Sequence, residues 1–323
     1  MTRTSPWTVI IPSPATIWYS IWSWWPWPDA GCALLAGGRT AKRGRRRATT
    51  RDPDLTGTGS GYWQALAAAD IAALDVTSTV ALLPVAAVEQ HGPHLPLGTD
   101  AVINAGIVAR ALGLLRSRSS PGPRLLVLPA LDIGHSPEHV ATAGTLSARS
   151  ETLLGLWTDV AASVAAAGVR RLVLFNSHGG QTALVDLAAV RWRARFGMWV
   201  ARACWPAFGD PAGLFDADEW RLGLHGGEVE TSLMLHLAPE QVRMDAARDF
   251  VPAEPPGCRW LGFEGPIGLG WLSDDLHPAG VCGNAAAADA ARGATLLEHL
   301  AQVLVAIVDE LALLPLPAAD DRV

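Results

Sequence analysis

The sequence of 323 residues contains four cysteines, Cys32, Cys204, Cys258 and Cys282, with no CxxC pair among them. Spacing this wide provides neither a thiolate cage for zinc nor the dense bridge framework of a small secreted domain. A reducing cytoplasm is the expected compartment. Uninterrupted apolar runs of the roughly 20 residues that a spanning helix needs are also missing, because prolines and polar residues break every candidate. The expectation is a soluble chain with no membrane partner. A basic stripe is lacking as well: the net charge is −6, and nothing in the sequence could capture a phosphate backbone electrostatically, so nucleic acid is excluded as an expected partner. No internal repeat is present. What the sequence does have is apolar content, with 50% hydrophobic residues, enough to bury a full core.

The first sixty residues differ from the rest. Trp18, Trp22, Trp24, Trp25 and Trp27 crowd into one stretch, and the cationic run AKRGRRRATTR follows. There is no clean apolar core or cleavage site for a secretory signal, and Asp29 sits poorly in the lipobox-like DAGC that ends at Cys32. Residues 1–60 are expected to be a disordered extension or the product of a mis-assigned start. A surface anchor through the tryptophans is the weaker alternative. Residues 61–323 are expected to form one domain.

From about residue 61 the pattern is regular. Short β-branched or Leu-rich runs at 79–88, 124–131, 171–175 and 198–203 alternate with Ala-rich segments of helical periodicity at 101–115, 151–167, 181–195 and 285–311. Buried strands joined by such helices predict an α/β fold, a three-layer α/β/α sandwich around a mostly parallel sheet. The Pro-rich stretch 251–257 reads as a loop.

Ligands of such sheets gather beyond the carboxyl ends of the strands, so the polar residues that follow each run are the candidates. The first run leads into Glu89, Gln90 and His91, then through a Gly/Pro loop to Asp100. Glu89 and His91 are two apart, which in extended chain places both on one face. With Asp100 they form a carboxylate and imidazole set suited to zinc, manganese or iron. The third run ends in Asn176, Ser177, His178, Gly179 and Gly180, which presents His178 to the crevice. The second is followed by Gly134, His135, Ser136, Pro137, Glu138 and His139, a loop able to hold substrate or to orient ligands. A fourth place is HGGEVETS, with His225 before two glycines and Glu228 opening a helix. Ordinary capping accounts for Thr231 and Ser232 there, but not for His225. His236 and His299 read as surface or packing residues.

Together, EQHGPHLPLGTD, NSHGG and HGGEVETSLML, in that order, closely resemble the creatininase, or creatinine amidohydrolase, family from about residue 79 to the C-terminal helix. The resemblance implies a Rossmann-like fold, usually a hexamer, and two divalent metal ions bridged by Asp100. Glu89 and His178 would hold one ion and His91 the other, with His225 the catalytic proton carrier. Two departures stand out. Creatininase has a glutamate two residues after the histidine matching His178, where this chain has Gly180. Here an acid stands at Glu228, as in a deformylase branch of the family, so Glu228 is expected to supply the missing carboxylate. Creatininase also has a tryptophan and an aspartate shortly before HGG. The aspartate is absent here and Trp220 is out of register, which puts creatinine in doubt.

The expected chemistry is hydrolysis of a cyclic or small amide by water activated on the metals, zinc first among them. His225 would move the proton, Glu138 would assist, and Ser136, His139 and Gly179 would contact the small-molecule substrate. A formamide deformylase, a mycofactocin-type peptidase or a non-catalytic metal-binding module are the alternatives.

Overall fold

Alternate residues of one strand face two different cores. In β2 (Thr79–Val85), Val80 and Leu82 belong to one buried cluster, while Ala81, Leu83 and Val85 belong to another. The two-residue period of a strand requires this division when both faces are covered. β4 (Arg171–Asn176) repeats it, with Val173 and Phe175 on one side and Leu172 and Leu174 on the other. This computed structural model describes residues 59–211, 213–263 and 267–317. The chain divides into the units Met1–Thr50 and Arg51–Val323, and the expected extension, apart from residues 59 and 60, lies outside the described residues.

The sheet also contains β1 (Gly61–Tyr62), β3 (Arg124–Val127) and β5 (Trp199–Cys204), in the order β1-β3-β2-β4-β5. Every pairing is parallel. A short α1 (Ala68–Ala72) precedes β2. One face is covered by α2 (Thr99–Arg116) and, later in the chain, by α6 (Glu228–Leu237) and α8 (Ala290–Leu313); the other is covered by α3 (Ser150–Ala166) and α4 (Thr182–Phe196). This is the expected three-layer α/β/α arrangement. The remaining elements are α5 (Ala217–Leu222), α7 (Ser273–Leu276) and an antiparallel pair, β6 (Asp249–Phe250) with β7 (Gly283–Asn284).

The four expected strands are present, but the first ladder ends at Val85 and not at Val88. Ala86 N–H donates to the Leu131 carbonyl instead, so the next residues run as irregular extended chain above the sheet. α8 starts later than expected, at Ala290, because the Asp289 carboxylate caps it by accepting from Arg292 N–H at 2.8 Å, while residues 285–287 form a separate 3-10 turn. α6 and α8 touch backbone to backbone: a Cβ on Gly293 would lie 1.9 Å from the Ser232 carbonyl oxygen. Only glycine permits that approach. The contact fixes the rotation of α6 about its axis, which decides which of its acids faces the sheet edge.

Candidate metal centre

Three loops at the carboxyl edge of β2, β3 and β4, together with the start of α6, bring a cluster of acids and imidazoles into one buried volume. After β2, Glu89 N–H donates to the Leu97 carbonyl at 2.9 Å, and Thr99 Oγ1 donates to the Pro96 carbonyl at 2.7 Å. These bonds close the Gly/Pro loop and return Asp100 beside Glu89, in the first turn of α2, where a carboxylate is favoured by the helix dipole. After β4, Asn176 accepts from His178 N–H and donates back to the His178 carbonyl, so the turn holds His178 over the same edge.

The hydrogen-bond partners fix which nitrogen of each ligand-type imidazole is free. His91 Nδ1–H donates to the Glu89 carbonyl at 3.0 Å. Its Nε2 lone pair therefore faces Asp100 Oδ1 at 3.5 Å and Glu230 Oε2 at 3.9 Å. His178 Nε2–H donates to the His135 carbonyl at 3.0 Å, so its Nδ1 lone pair faces Glu89 Oε1 at 3.1 Å and Asp100 Oδ2 at 3.6 Å. Asp100 thus turns one oxygen to each histidine. Glu89 Oε2, His91 Nε2 and Asp100 Oδ2 are buried with no hydrogen-bond partner. Buried polar atoms are rarely left so, and three of them together, from two carboxylates and one imidazole, fit a centre for divalent cations. The potential ligand atoms of Glu89, Asp100 and His178 lie within 4.8 Å of one another, as do those of His91, His225 and Glu230, and those of Glu89, His139 and His225.

Electrostatics agrees with the geometry. Burial works against charge on His91, but the Asp100 contact outweighs it and raises the pKa to about 10. His178 is likewise raised to about 9, because Glu89 overcomes the cost of burial. Burial raises Glu230 to about 7, and it raises Asp100 as well. Glu89 is also opposed by burial, yet His178 holds it below the usual carboxylate range. Without metal the cluster balances its acids by holding protons on His91 and His178, and cations would displace them. Both histidines carry protons below about pH 9. Loading the metal-free protein at pH 7 is therefore expected to release close to two protons from these rings and part of another from Glu230, and apparent metal affinity should rise with pH. Calorimetry in buffers of different ionisation heat measures the release; a proton count of zero would contradict this reading.

The structure brings Glu89, His91, Asp100, His178, His225 and His139 together. It does not bring Glu228. That carboxylate pairs with Arg292 of α8, and the acid facing the centre is Glu230, missed in the sequence. Two residues along a helix differ by about 200° in direction, so α6 can turn only one of these acids inward. Glu230 is buried and also accepts from Gly226 N–H at 2.7 Å. The signal was present in HGGEVETS, but choosing between its two acids requires the phase of the helix. The carboxylate of Glu219 on α5 accepts from Glu228 N–H and Asn284 N–H and so steadies the start of α6.

The loop after β3 also differs in part from expectation. Ser136, expected to contact substrate, is 0% exposed, with its hydroxyl 3.4 Å from His178 Nε2. It lies behind that ring, away from the cluster, because its backbone N–H is tied to Ser147 Oγ at 2.9 Å. Glu138, expected as a catalytic assistant, stands beside the cluster, 3.4 Å from His178 Nε2 and 4.0 Å from His139 Nε2. A Cβ on Gly180 would lie 1.7 Å from Glu138 Oε1, so this carboxylate occupies the space that any side chain at position 180 would enter. Gly179 is exposed in the turn after His178. Trp220 packs beside Phe215 against the core. His277 accepts from Ala279 N–H, and His299 is bonded to the Phe208 carbonyl. Among the described residues the cysteines are free, and no helix is long and apolar enough to cross a membrane.

The creatininase profile, described as creatinine amidohydrolase, matches residues 64–308. A mycofactocin precursor peptide peptidase of Mycobacterium tuberculosis is 35% identical over 187 residues, 57% of this chain and 68% of the relative. The creatinine amidohydrolase of Pseudomonas putida is 32% identical over 193 residues, 55% of this chain and 71% of the relative. A solved manganese form of creatininase superposes with a TM-score of 0.62 at 27% identity, covering 78% of this chain and 98% of that one. A zinc–zinc form of a creatininase variant superposes equally well, with a TM-score of 0.63. The profile, the relatives and the shared fold agree with a centre suited to divalent metal: the chain belongs to the creatininase family, metal-dependent hydrolases of C–N amide bonds.

Proposed function

We propose that this amidohydrolase uses two divalent ions, zinc first among them, to hydrolyse the C–N bond of a small amide. Asp100 carries the proposal, because its two oxygens face two imidazole lone pairs whose opposite nitrogens are tied to backbone carbonyls. Glu89 and His178 would hold one ion, His91 and Glu230 the other, and Asp100 would bridge. When bound, such ions lower the pKa of a water to about 7 and polarise the carbonyl. His225 Nε2–H donates to the Gln90 carbonyl at 2.7 Å, which leaves Nδ1 free to accept the proton of the attacking water. Burial holds this imidazole below its ordinary pKa, which disfavours a standing charge on it and helps it pass an accepted proton on to the leaving nitrogen. The C–O bond forms, the C–N bond breaks, and acid and amine leave.

Two observations favour a short peptide or other acyclic amide over creatinine. Trp220 is half-buried and packs against the core beside Phe215, and the peptidase relative is 35% identical against 32% for the creatinine amidohydrolase. Val251, Trp260, Ile267 and Leu272 are exposed apolar residues in one stretch of chain, which supports a homo-oligomer, by resemblance a hexamer. The free cysteines among the described residues support a cytoplasmic location.

The test is metal content and amide turnover of wild type, Glu230→Gln and Glu228→Gln side by side. Glu230→Gln is expected to lose one ion of two and most activity, whereas Glu228→Gln keeps both ions. Wild type that takes up no transition metal after reconstitution sinks the proposal; loss of an ion in Glu228→Gln alone overturns the ligand assignment.

A further inference from the structure

His139 and His225 stack face to face, with ring centroids 4.2 Å apart and planes at 23°. Both approach Glu89 Oε1, at 3.5 Å from His139 Nε2 and 3.8 Å from His225 Nδ1. Two buried imidazoles beside one carboxylate are chemically alike unless something decides where each holds its hydrogen. Gln90, between the ligand-type residues Glu89 and His91, touches both rings.

The orientation of the Gln90 amide follows from its surroundings. Its Oε1 accepts from Gly92 N–H at 3.0 Å, and its Nε2 donates to the Gly280 carbonyl. The reverse orientation would set two donors and two acceptors against each other. The second hydrogen on Nε2 points to His139 Nδ1 at 2.9 Å, which must then be a lone pair, so the hydrogen of neutral His139 sits on Nε2, facing Glu89. The backbone carbonyl of Gln90 meanwhile accepts the Nε2 hydrogen of His225, which turns the His225 Nδ1 lone pair to Glu89. Both amide hydrogens are then used, so the 3.4 Å approach of Gln90 Nε2 to His225 Nε2 is contact between two donors.

We propose that Gln90 is a positioning residue that gives the two stacked histidines opposite functions: through its backbone carbonyl it makes His225 present a lone pair, and through its amide it makes His139 present an N–H. The inference rests on the amidohydrolase reading and deepens it. His225 is the group able to take a proton at Nδ1, whereas His139 is a fixed donor for the carbonyl oxygen as negative charge develops there, which is where a preorganised N–H is most effective.

The side chain and the backbone of Gln90 act on different rings, and this makes the inference testable. Gln90→Glu replaces the amide donor with an acceptor, so His139 is expected to move its hydrogen to Nδ1 while His225, held by the backbone, keeps its own on Nε2. Gln90→Met removes the donor without adding charge opposite the Gly280 carbonyl, and there His139 is expected to populate both forms. Histidine nitrogen NMR on the zinc-loaded full chain reads this directly, with the His139 signals assigned from a His139→Asn sample. The expected companions are unchanged zinc content, a KM close to wild type and a kcat lowered about 10- to 100-fold, the usual effect of losing a partner behind a metal site's working groups. A His139 hydrogen on Nδ1 in wild type, or on Nε2 in both variants, overturns the proposal. The spectra decide this even if wild type hydrolyses none of the amides offered, an outcome that counts against the amidase reading alone.

Discussion

Asp100→Asn is expected to leave at most one tightly bound ion and to lower kcat/KM by about four orders of magnitude, or ~5.5 kcal/mol of transition-state stabilisation. The carboxylate meets both imidazole lone pairs, Oδ1 at 3.5 Å from His91 and Oδ2 at 3.6 Å from His178. An asparagine has nearly the same shape, so packing in the first turn of α2 is kept, but it offers one acceptor atom and turns two N–H donors toward the place of the other ion. Metal ligands must present lone pairs, so one of the two positions is lost whichever way the amide turns. The charge also falls from −1 to zero at a point shared by both cations, which weakens the remaining one. Elemental analysis and steady-state kinetics on the same sample check this, with circular dichroism to confirm folding. An Asp100→Asn protein that keeps two ions would rule out Asp100 as a bridge.

Much of this arrangement was legible before the structure. Four strand runs were visible because residues such as Val80 to Val85 are buried on both faces and so must be continuously apolar. Their carboxyl ends pointed to Glu89, His91, Asp100 and His178, since a strand end followed by glycine and proline gives polar side chains a crevice to face. The acid from α6 was not legible. Glu228 and Glu230 are the same residue type and lie in the same helical turn, and the choice depends on Arg292, 64 positions beyond Glu228, and on the close approach of Gly293 to the Ser232 carbonyl. Neither contact leaves a mark within HGGEVETS. The place of Ser136 was hidden for a similar reason: its bond to Ser147 turns the loop so that the hydroxyl lies behind His178. Local motifs disclose which residues can reach an edge, but the packing of distant helices and loops decides which of them do.

His225→Ala is expected to retain both ions and lose about 10²- to 10⁴-fold in kcat, the range for removing a positioned proton carrier. Two roles compete for this residue, since its ring lies near enough to Glu89 and to His91 and Glu230 to be counted among metal-capable groups. Geometry favours proton transfer. His91 Nε2 and His178 Nδ1 each face two carboxylate atoms between 3.1 and 3.9 Å, whereas His225 Nδ1 faces Glu89 Oε1 alone, at 3.8 Å. Its ring is stacked on His139 and tilted against His91, with centroids 4.2 Å from each. Burial there disfavours a standing charge on the imidazole, which suits a group that must take a proton from water and give it to a departing nitrogen within one turnover. Elemental analysis separates the two roles. Two ions with lost turnover assign His225 to proton transfer. One ion lost would make it a ligand and remove it from proton transfer.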